Sequence, residues 1–159
     1  MDLFVNENIQ LRTIDYENVA QLFPLFKADL KEISQWFPFD DGYQLAYDLA
    51  YIDEKDPPFE ETFVIYYRGE PCGRIGLYDH DPGKDEIYLY YWVASPYRRK
   101  HIAMDSVLTV MEYLKTLGLK TVRFEVKKGN ESSAAMIRQL SNAVLVNDEA
   151  KYQVYACSI

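Results

Sequence analysis

Trp92-Val93-Ala94-Ser95-Pro96-Tyr97-Arg98-Arg99-Lys100-His101-Ile102-Ala103 is the stretch of this chain richest in usable chemistry. An apolar run ends there, three consecutive cations and a histidine follow, and an amphipathic pattern starts at Ile102. The first turn of a helix has N–H groups without intrahelical partners and a partial positive charge. Formal charge on Arg98, Arg99 and Lys100 at the same place makes an anion such as a pyrophosphate the natural ligand. Other constellations are poorer. Asp79-His80-Asp81 has the residue types of a metal pair but is read as part of a solvated hairpin turn. Cys72 and Cys157 with two histidines make a four-ligand zinc site only if every one converges, so no metal is expected. Two buried, reduced thiols are expected instead, as in a cytoplasmic protein.

Such a loop needs a strand before it and a helix after it. Glu86 to Ala94 is aromatic and aliphatic on both faces and reads as a strand in the middle of a sheet. Ile102 to Leu117 places Val107, Val110, Met111, Leu114 and Leu117 on one helical face, with Gly118 as the stop. Upstream, Ile9 to Arg12 alternates as a short strand. Thr13-Ile14-Asp15 caps a helix through Phe26 that carries Val19, Leu22, Phe23 and Phe26 on one side. Ala28 to Trp36 reads as a second helix, and a third starts at Asp40-Asp41-Gly42 and ends before Asp56-Pro57-Pro58. Thr62 to Tyr67 and Cys72 to Tyr78 form a hairpin around Arg68-Gly69, and Asp81 to Lys84 is a further turn. Thr121 to Val126 is a strand, Asn130 to Leu140 a helix, and Val144 to Val146 and Tyr152 to Ala156 are closing strands. This order is that of a mixed α/β (α+β) sandwich with helices on both faces of one sheet. No linker or repeat divides it, so residues 1–159 are expected to form one domain.

Net charge is −8, which argues against a nucleic-acid surface, and no apolar run reaches the roughly 20 residues of a membrane span. Met1 to Glu7 has neither the basic nor the apolar region of a secretory signal. The charge is unevenly spread. Residues 1–81 carry 17 acidic and 6 basic side chains, whereas residues 98–128 carry 8 basic and 3 acidic. An acidic front and a basic back suggest two ligands, one cationic and one anionic.

Several of these residues recur together elsewhere. Tyr91-Trp92-Val93, then Tyr97-Arg98-Arg99-Lys100-His101-Ile102-Ala103, then Asn130-Glu131-Ser132-Ser133, with Leu30 and Trp36-Phe37-Pro38 upstream, resemble the GNAT N-acetyltransferase family. The likeness is to the RimJ/RimL-like branch, which acetylates the N-termini of ribosomal proteins. Its members carry Tyr-Arg-Gly-Lys-Gly-Ile-Ala at the head of the long helix and Asn-x-x-Ser at the head of the next. The resemblance implies the GNAT fold, a mixed and mostly antiparallel central sheet with helices on both faces. It also implies acetyl-CoA as co-substrate, with no metal. The pyrophosphate would lie on Arg98, Arg99, Lys100, His101, Ile102 and Ala103, and the pantetheine against the backbone of Trp92 and Val93. Asn130 and Ser133 would join that binding site.

The implied reaction is direct attack of a neutral amine on the thioester. Glu86 and Glu125, on neighbouring strands, are the candidate bases. Tyr88 and Tyr90 could hold the substrate or donate a proton, and Ser141 could contact the thiol. The acceptor would be a cationic amine or a basic protein N-terminus, drawn by Asp40, Asp41, Asp48, Glu60 and Glu61. A monomer or a homodimer would serve. The chain departs from the family at His101, where the pattern has glycine, at Ser141-Asn142, where it has Gly-Phe, and at Ile137, where many relatives carry a proton-donating tyrosine. Glycine at position 101 is expected to cost a little helix stability. The departures leave open a degenerate member that binds an acyl-CoA or another anion without turnover.

Overall fold

The computed structural model describes residues 1–40 and 42–159. Eight strands form one sheet: β1 (Asp2–Phe4), β2 (Ile9–Thr13), β3 (Glu61–Tyr67), β4 (Glu70–Asp81), β5 (Glu86–Val93), β6 (Thr121–Lys127), β7 (Ala143–Asp148) and β8 (Tyr152–Ser158). The helices are α1 (Tyr16–Ala28), α2 (Leu30–Trp36), α3 (Leu45–Glu54), α4 (Ile102–Thr116) and α5 (Glu131–Arg138), with a 3-10 turn over Ser95–Tyr97. Strand order is β1-β2-β3-β4-β5-β6-β8-β7, and every pairing is antiparallel except β5 with β6.

Local chemistry sets the ends of these elements. Asp15 caps α1 in a reciprocal box: its carboxylate accepts from Asn18 N at 2.7 Å, and Asn18 Oδ1 accepts from Asp15 N at 2.9 Å. α4 buries Ile102, Val107, Val110, Met111 and Leu114 on one face and stops before Gly118, whose φ of +88° suits glycine. β3 and the middle of β4 are buried on both faces, which explains their near-continuous apolar runs.

Two apolar layers flank the sheet. One packs Val107, Val110 and Leu114 of α4 and Ala134 and Ile137 of α5 against Ile87, Leu89 and Phe124. The other packs Val19, Leu22 and Phe26 of α1 and Leu30 and Ile33 of α2 against Val64, Tyr66 and Trp92. Three expectations need correction. β1 exists, paired to β2 from Asp2↔Arg12 to Phe4↔Gln10. Helix α3 begins at Leu45 after an extended Gln44, so Gly42 lies outside it, and Asp41 falls outside the described residues. Asp79, His80 and Asp81 belong to β4 rather than to a turn, in an irregular stretch where pairing to β5 skips from Tyr78 to Asp81.

Candidate active site

β5 and β6 run side by side only where Glu86, Ile87 and Tyr88 meet Thr121, Val122 and Arg123. Beyond that point β5 continues to Val93 and β6 to Lys127 with no pairing between them, so the sheet opens. Strand parity decides what the opening exposes. Ala94 N donates to Cys72 O at 2.8 Å, which makes Cys72 and Ala94 a hydrogen-bonded pair. In the same register the backbones of Trp92, Tyr90 and Tyr88 point to β4, and those of Val93, Tyr91 and Leu89 point into the opening. Val93 therefore turns its main-chain N–H to the opening, its carbonyl being taken by Arg98 Nε, whereas Trp92 does not. The Trp92 indole packs edge-on to Phe26 in the α1–α2 layer, with ring centroids 5.3 Å apart. Gly73 is required opposite, because a Cβ there would collide with the Trp92 carbonyl oxygen.

The loop after β5 is shaped by two left-handed residues, Arg99 at φ +65° and His101 at φ +58°. Both occupy positions where the resemblance has glycine. His101 caps α4 from outside the helix, which corrects the assumption that position 101 lies in its first turn. Among the described residues, no protein acceptor takes the main-chain N–H of any residue from Arg99 through Met104. Successive free N–H groups at a helix start make an anion cradle. Arg99, Lys100 and His101 are exposed around it.

Arg98 is placed differently from its expected role. Its Nε donates to Val93 O at 3.0 Å, Nη1 to Glu32 at 2.7 Å and Nη2 to Asp29 at 3.5 Å. Asp29 also accepts from Ser95 N and Ser95 Oγ, each at 2.9 Å. The Arg98 guanidinium thus ties the end of β5 to α2, and its charge is engaged before any anion arrives.

On the other side of the opening, the Asn130 side chain caps α5 at Ser133 N, 3.4 Å away. The Ser133 hydroxyl lies 2.8 Å from Tyr91 Oη. Burial pushes the Tyr91 phenol up to about 12, against a smaller opposite effect of Ser133, so it stays protonated at neutral pH. Ser141 is exposed in the turn between α5 and β7, and Ile137 is buried in the core.

Glu86, Tyr88 and Tyr90 on β5 alternate with core residues and share the α1–α3 face of the sheet with Arg123 and Glu125 on β6. Glu86 is spent on Arg123, at 2.9 and 3.2 Å. Glu125 is exposed and close enough to Tyr78 to help burial raise the phenol's pKa. Tyr90 lies over Gly76 and at the floor of a cleft of about 610 Å³ between α3, β4 and β5.

Arg74, 2% exposed, lies at the base of that cleft with a two-pronged bond to Asp48, at 3.0 and 3.4 Å. Burial opposes the Arg74 charge, but Tyr90 and the Asp48 carboxylate outweigh it, and the pKa is raised. Tyr43 Oη donates to the same carboxylate at 2.6 Å. The acidic wall needs correcting accordingly. Asp48 is matched by Arg74 and Glu61 by Lys55 at 2.6 Å, so neither is free to draw a cation. Glu60 remains at the cleft, joined by Asp56 and Asp79. The Arg74–Asp48 pair was missed, although a lone arginine within Cys72 to Leu77, otherwise apolar and glycine, was its signal: a charge in a doubly buried strand requires a partner. Among the described residues no cluster of His, Cys, Asp and Glu could hold a metal ion, and no helix is long and apolar enough to cross a membrane.

A model of the acetyltransferase (GNAT) family matches residues 26–141. No curated protein matches the chain. Among solved structures it resembles RimL, a ribosomal L7/L12 alpha-N-protein acetyltransferase, at 17% identity and TM-score 0.89, over 100% of this chain and 94% of that one. The microcin C7 self-immunity acetyltransferase MccE, solved with acetyl-CoA and AMP, is similar at 15% identity and TM-score 0.86, over 98% and 94%. Mycobacterium smegmatis RimJ, solved with CoA-disulfide, is similar at 18% identity and TM-score 0.78, over 94% and 81%.

Proposed function

The chain belongs to the GNAT acetyltransferase family, and from that premise we propose that residues 1–159 form one N-acetyltransferase domain moving an acetyl group from acetyl-CoA to a primary amine. The observation that carries the reading is the row of free N–H groups from Arg99 through Met104, set beside the open edge of β5. The pyrophosphate would be held by those N–H groups, with Arg99, Lys100 and His101 around it. The pantetheine would continue along Leu89, Tyr91 and Val93, whose backbones face the opening. A free main-chain N–H of β5, such as that of Val93, would polarise the thioester carbonyl as negative charge develops on its oxygen. Asn130 and Ser133, bonded to Tyr91, border that path.

The amine would enter from the cleft over Tyr90. An α-amino group with a pKa near 8 is partly neutral at pH 7, so a modest base suffices. Glu125 suits that role through water better than Glu86, which is paired to Arg123. Attack forms the amide C–N bond and breaks the C–S bond; the amine's proton goes to the base and the thiolate leaves. Likeness to RimL and RimJ supports a place in their branch and a protein N-terminus or other cationic amine as acceptor. Two free, buried cysteines accord with a cytoplasmic setting.

The test is acetyl-CoA titration by calorimetry, followed by an amine panel with free thiol as the readout. Saturable binding and thiol release with at least one amine are expected. Binding without release across basic peptides, polyamines and aminoglycosides would favour a degenerate acyl-CoA binder.

A further inference from the structure

Helix α2 runs between two fixed points on opposite sides of the opening. At its start the Asp29 carboxylate accepts from Ser95 N and Ser95 Oγ, each at 2.9 Å, and Glu32 meets Arg98 at 2.7 Å, so this end is held to the loop after β5. At its other end the Trp36 indole lies against Gly129, just past the end of β6. A Cβ on that glycine would be 3.7 Å from Cζ3 and 3.8 Å from Cη2 of the ring. β5 and β6 are parallel, so both loops stand at the same end of the sheet, where the strands have parted. Helix α2 therefore crosses the mouth of the opening from one lip to the other. Its seven residues span about 10 Å, about two strand spacings, which leaves room for one extended chain between β5 and β6.

The opening is covered on both faces. On one, Ser133 of α5 meets Tyr91 of β5. On the other, Leu30 and Ile33 pack in one layer with Trp92, and the Phe37 ring lies 6.0 Å from that of Tyr90. The two ends of α2 differ in kind. Ion pairs to Arg98 hold the start, whereas the far end rests on one half-buried ring touching a glycine, a contact that dispersion alone supplies.

Resting on the acetyltransferase reading above, we propose that α2 is a strap across the coenzyme channel and that the Trp36 indole is its latch. The ring lifts from Gly129 to admit the pantetheine arm and closes over it, while Asp29 and Glu32 stay on Arg98 as the hinge. The uncharged arm, rich in CH2 groups, suits the face of an indole. Trp36 is thus a positioning residue that holds the arm and not the phosphates.

Two ligands that share a diphosphate separate these parts: acetyl-CoA carries the arm, and ADP ends at the phosphates. In Trp36→Ala, calorimetry should show acetyl-CoA affinity weakened about tenfold and ADP affinity unchanged, with Trp36→Phe in between. A second measurement needs no variant. The chain has two tryptophans, and Trp92 is 5% exposed, so acrylamide quenching of the wild type reads Trp36. Coenzyme A should suppress that quenching and ADP should not. The proposal is overturned if Trp36→Ala keeps the wild-type affinity for acetyl-CoA, if it loses acetyl-CoA and ADP equally, or if coenzyme A leaves the quenching unchanged. Wild-type protein that fails to bind acetyl-CoA at all would sink the acetyltransferase reading with it, whereas saturable binding combined with any of those three outcomes sinks the strap alone.

Discussion

Arg99 and His101 hold backbone angles that a side chain adopts at a cost of roughly 1–2 kcal/mol each, and they do so in the loop where free N–H groups gather. Retention of the glycine backbone without glycine explains how the cradle survives the substitution. It also reverses the expected sign of one mutation. Because His101 stands outside α4, His101→Gly relieves strain instead of weakening a helix, with the looser unfolded chain offsetting part of the gain. Urea unfolding should show the variant stabilised by up to about 1 kcal/mol, while His101→Ala, still left-handed, gains nothing. A destabilised glycine variant would contradict the strain argument. The cations beside it should divide their labour. Arg99 is exposed and uncommitted, so Arg99→Ala should weaken acetyl-CoA binding about tenfold with unchanged stability. Arg98 holds Val93 O, Glu32 and Asp29, so both Arg98→Ala and Arg98→Lys should lower stability, by about 1 kcal/mol given the exposure of that side chain. Full rescue by lysine would indicate that charge alone mattered, because an ammonium group does not reproduce the guanidinium's planar reach to three acceptors.

At the scale of elements, the buried Arg74–Asp48 pair joins β4 to α3, and Arg74 stacks over Phe26 of α1 at 4.4 Å. Removing one partner strands the other charge in the interior, at a cost of about 3–5 kcal/mol, whereas removing both leaves only an apolar gap to refill. Asp48→Leu and Arg74→Met should each be strongly destabilising, and Asp48→Leu/Arg74→Met should recover most of the loss. Additive losses in that double-mutant cycle would show that the two side chains act separately. The pair also marks what a linear reading sees poorly. Helix α4 and strand β5 were legible because each repeats one burial pattern along its length, as was the anion loop, which lies within a dozen consecutive residues. Contacts made across the sequence were not. Asp48 and Glu61 look like free acids until Arg74 and Lys55 are placed beside them. Arg98 looks like a phosphate ligand until α2, some 66 residues upstream, supplies Glu32. Asp79 and His80 read as a turn because Pro82-Gly83 dominates the local signal, yet β4 runs on to Asp81.

Across the whole molecule, the sheet lies between two layers, with α1–α3 from the acidic residues 1–81 on one face and α4, which follows the basic loop, on the other. The same two layers enclose many hydroxyls and thiols that can ionise only by losing burial. Burial raises the pKa of Tyr43, Tyr51 and Tyr78 above the ordinary phenol value, and pushes Tyr91 and Cys72 each up to about 12. These groups are neutral when protonated, so the folded chain keeps its protons at a pH where the unfolded chain releases them. The unfolded state then binds fewer protons, and stability falls as pH rises. Their contribution is complete below about pH 9 and is lost progressively from there to about pH 12. Tyr91→Phe isolates one member. At neutral pH the variant loses the bond to Ser133 and should be less stable by about 1 kcal/mol. Above about pH 10 the unfolded wild type gains by ionising Tyr91 and the variant does not, so the gap between the two should narrow as pH rises. Urea midpoints measured from about pH 7 to 11 provide the check. Parallel curves for the two proteins would mean that Tyr91 ionises as readily folded as unfolded, and that the layer between β5 and α5 admits water.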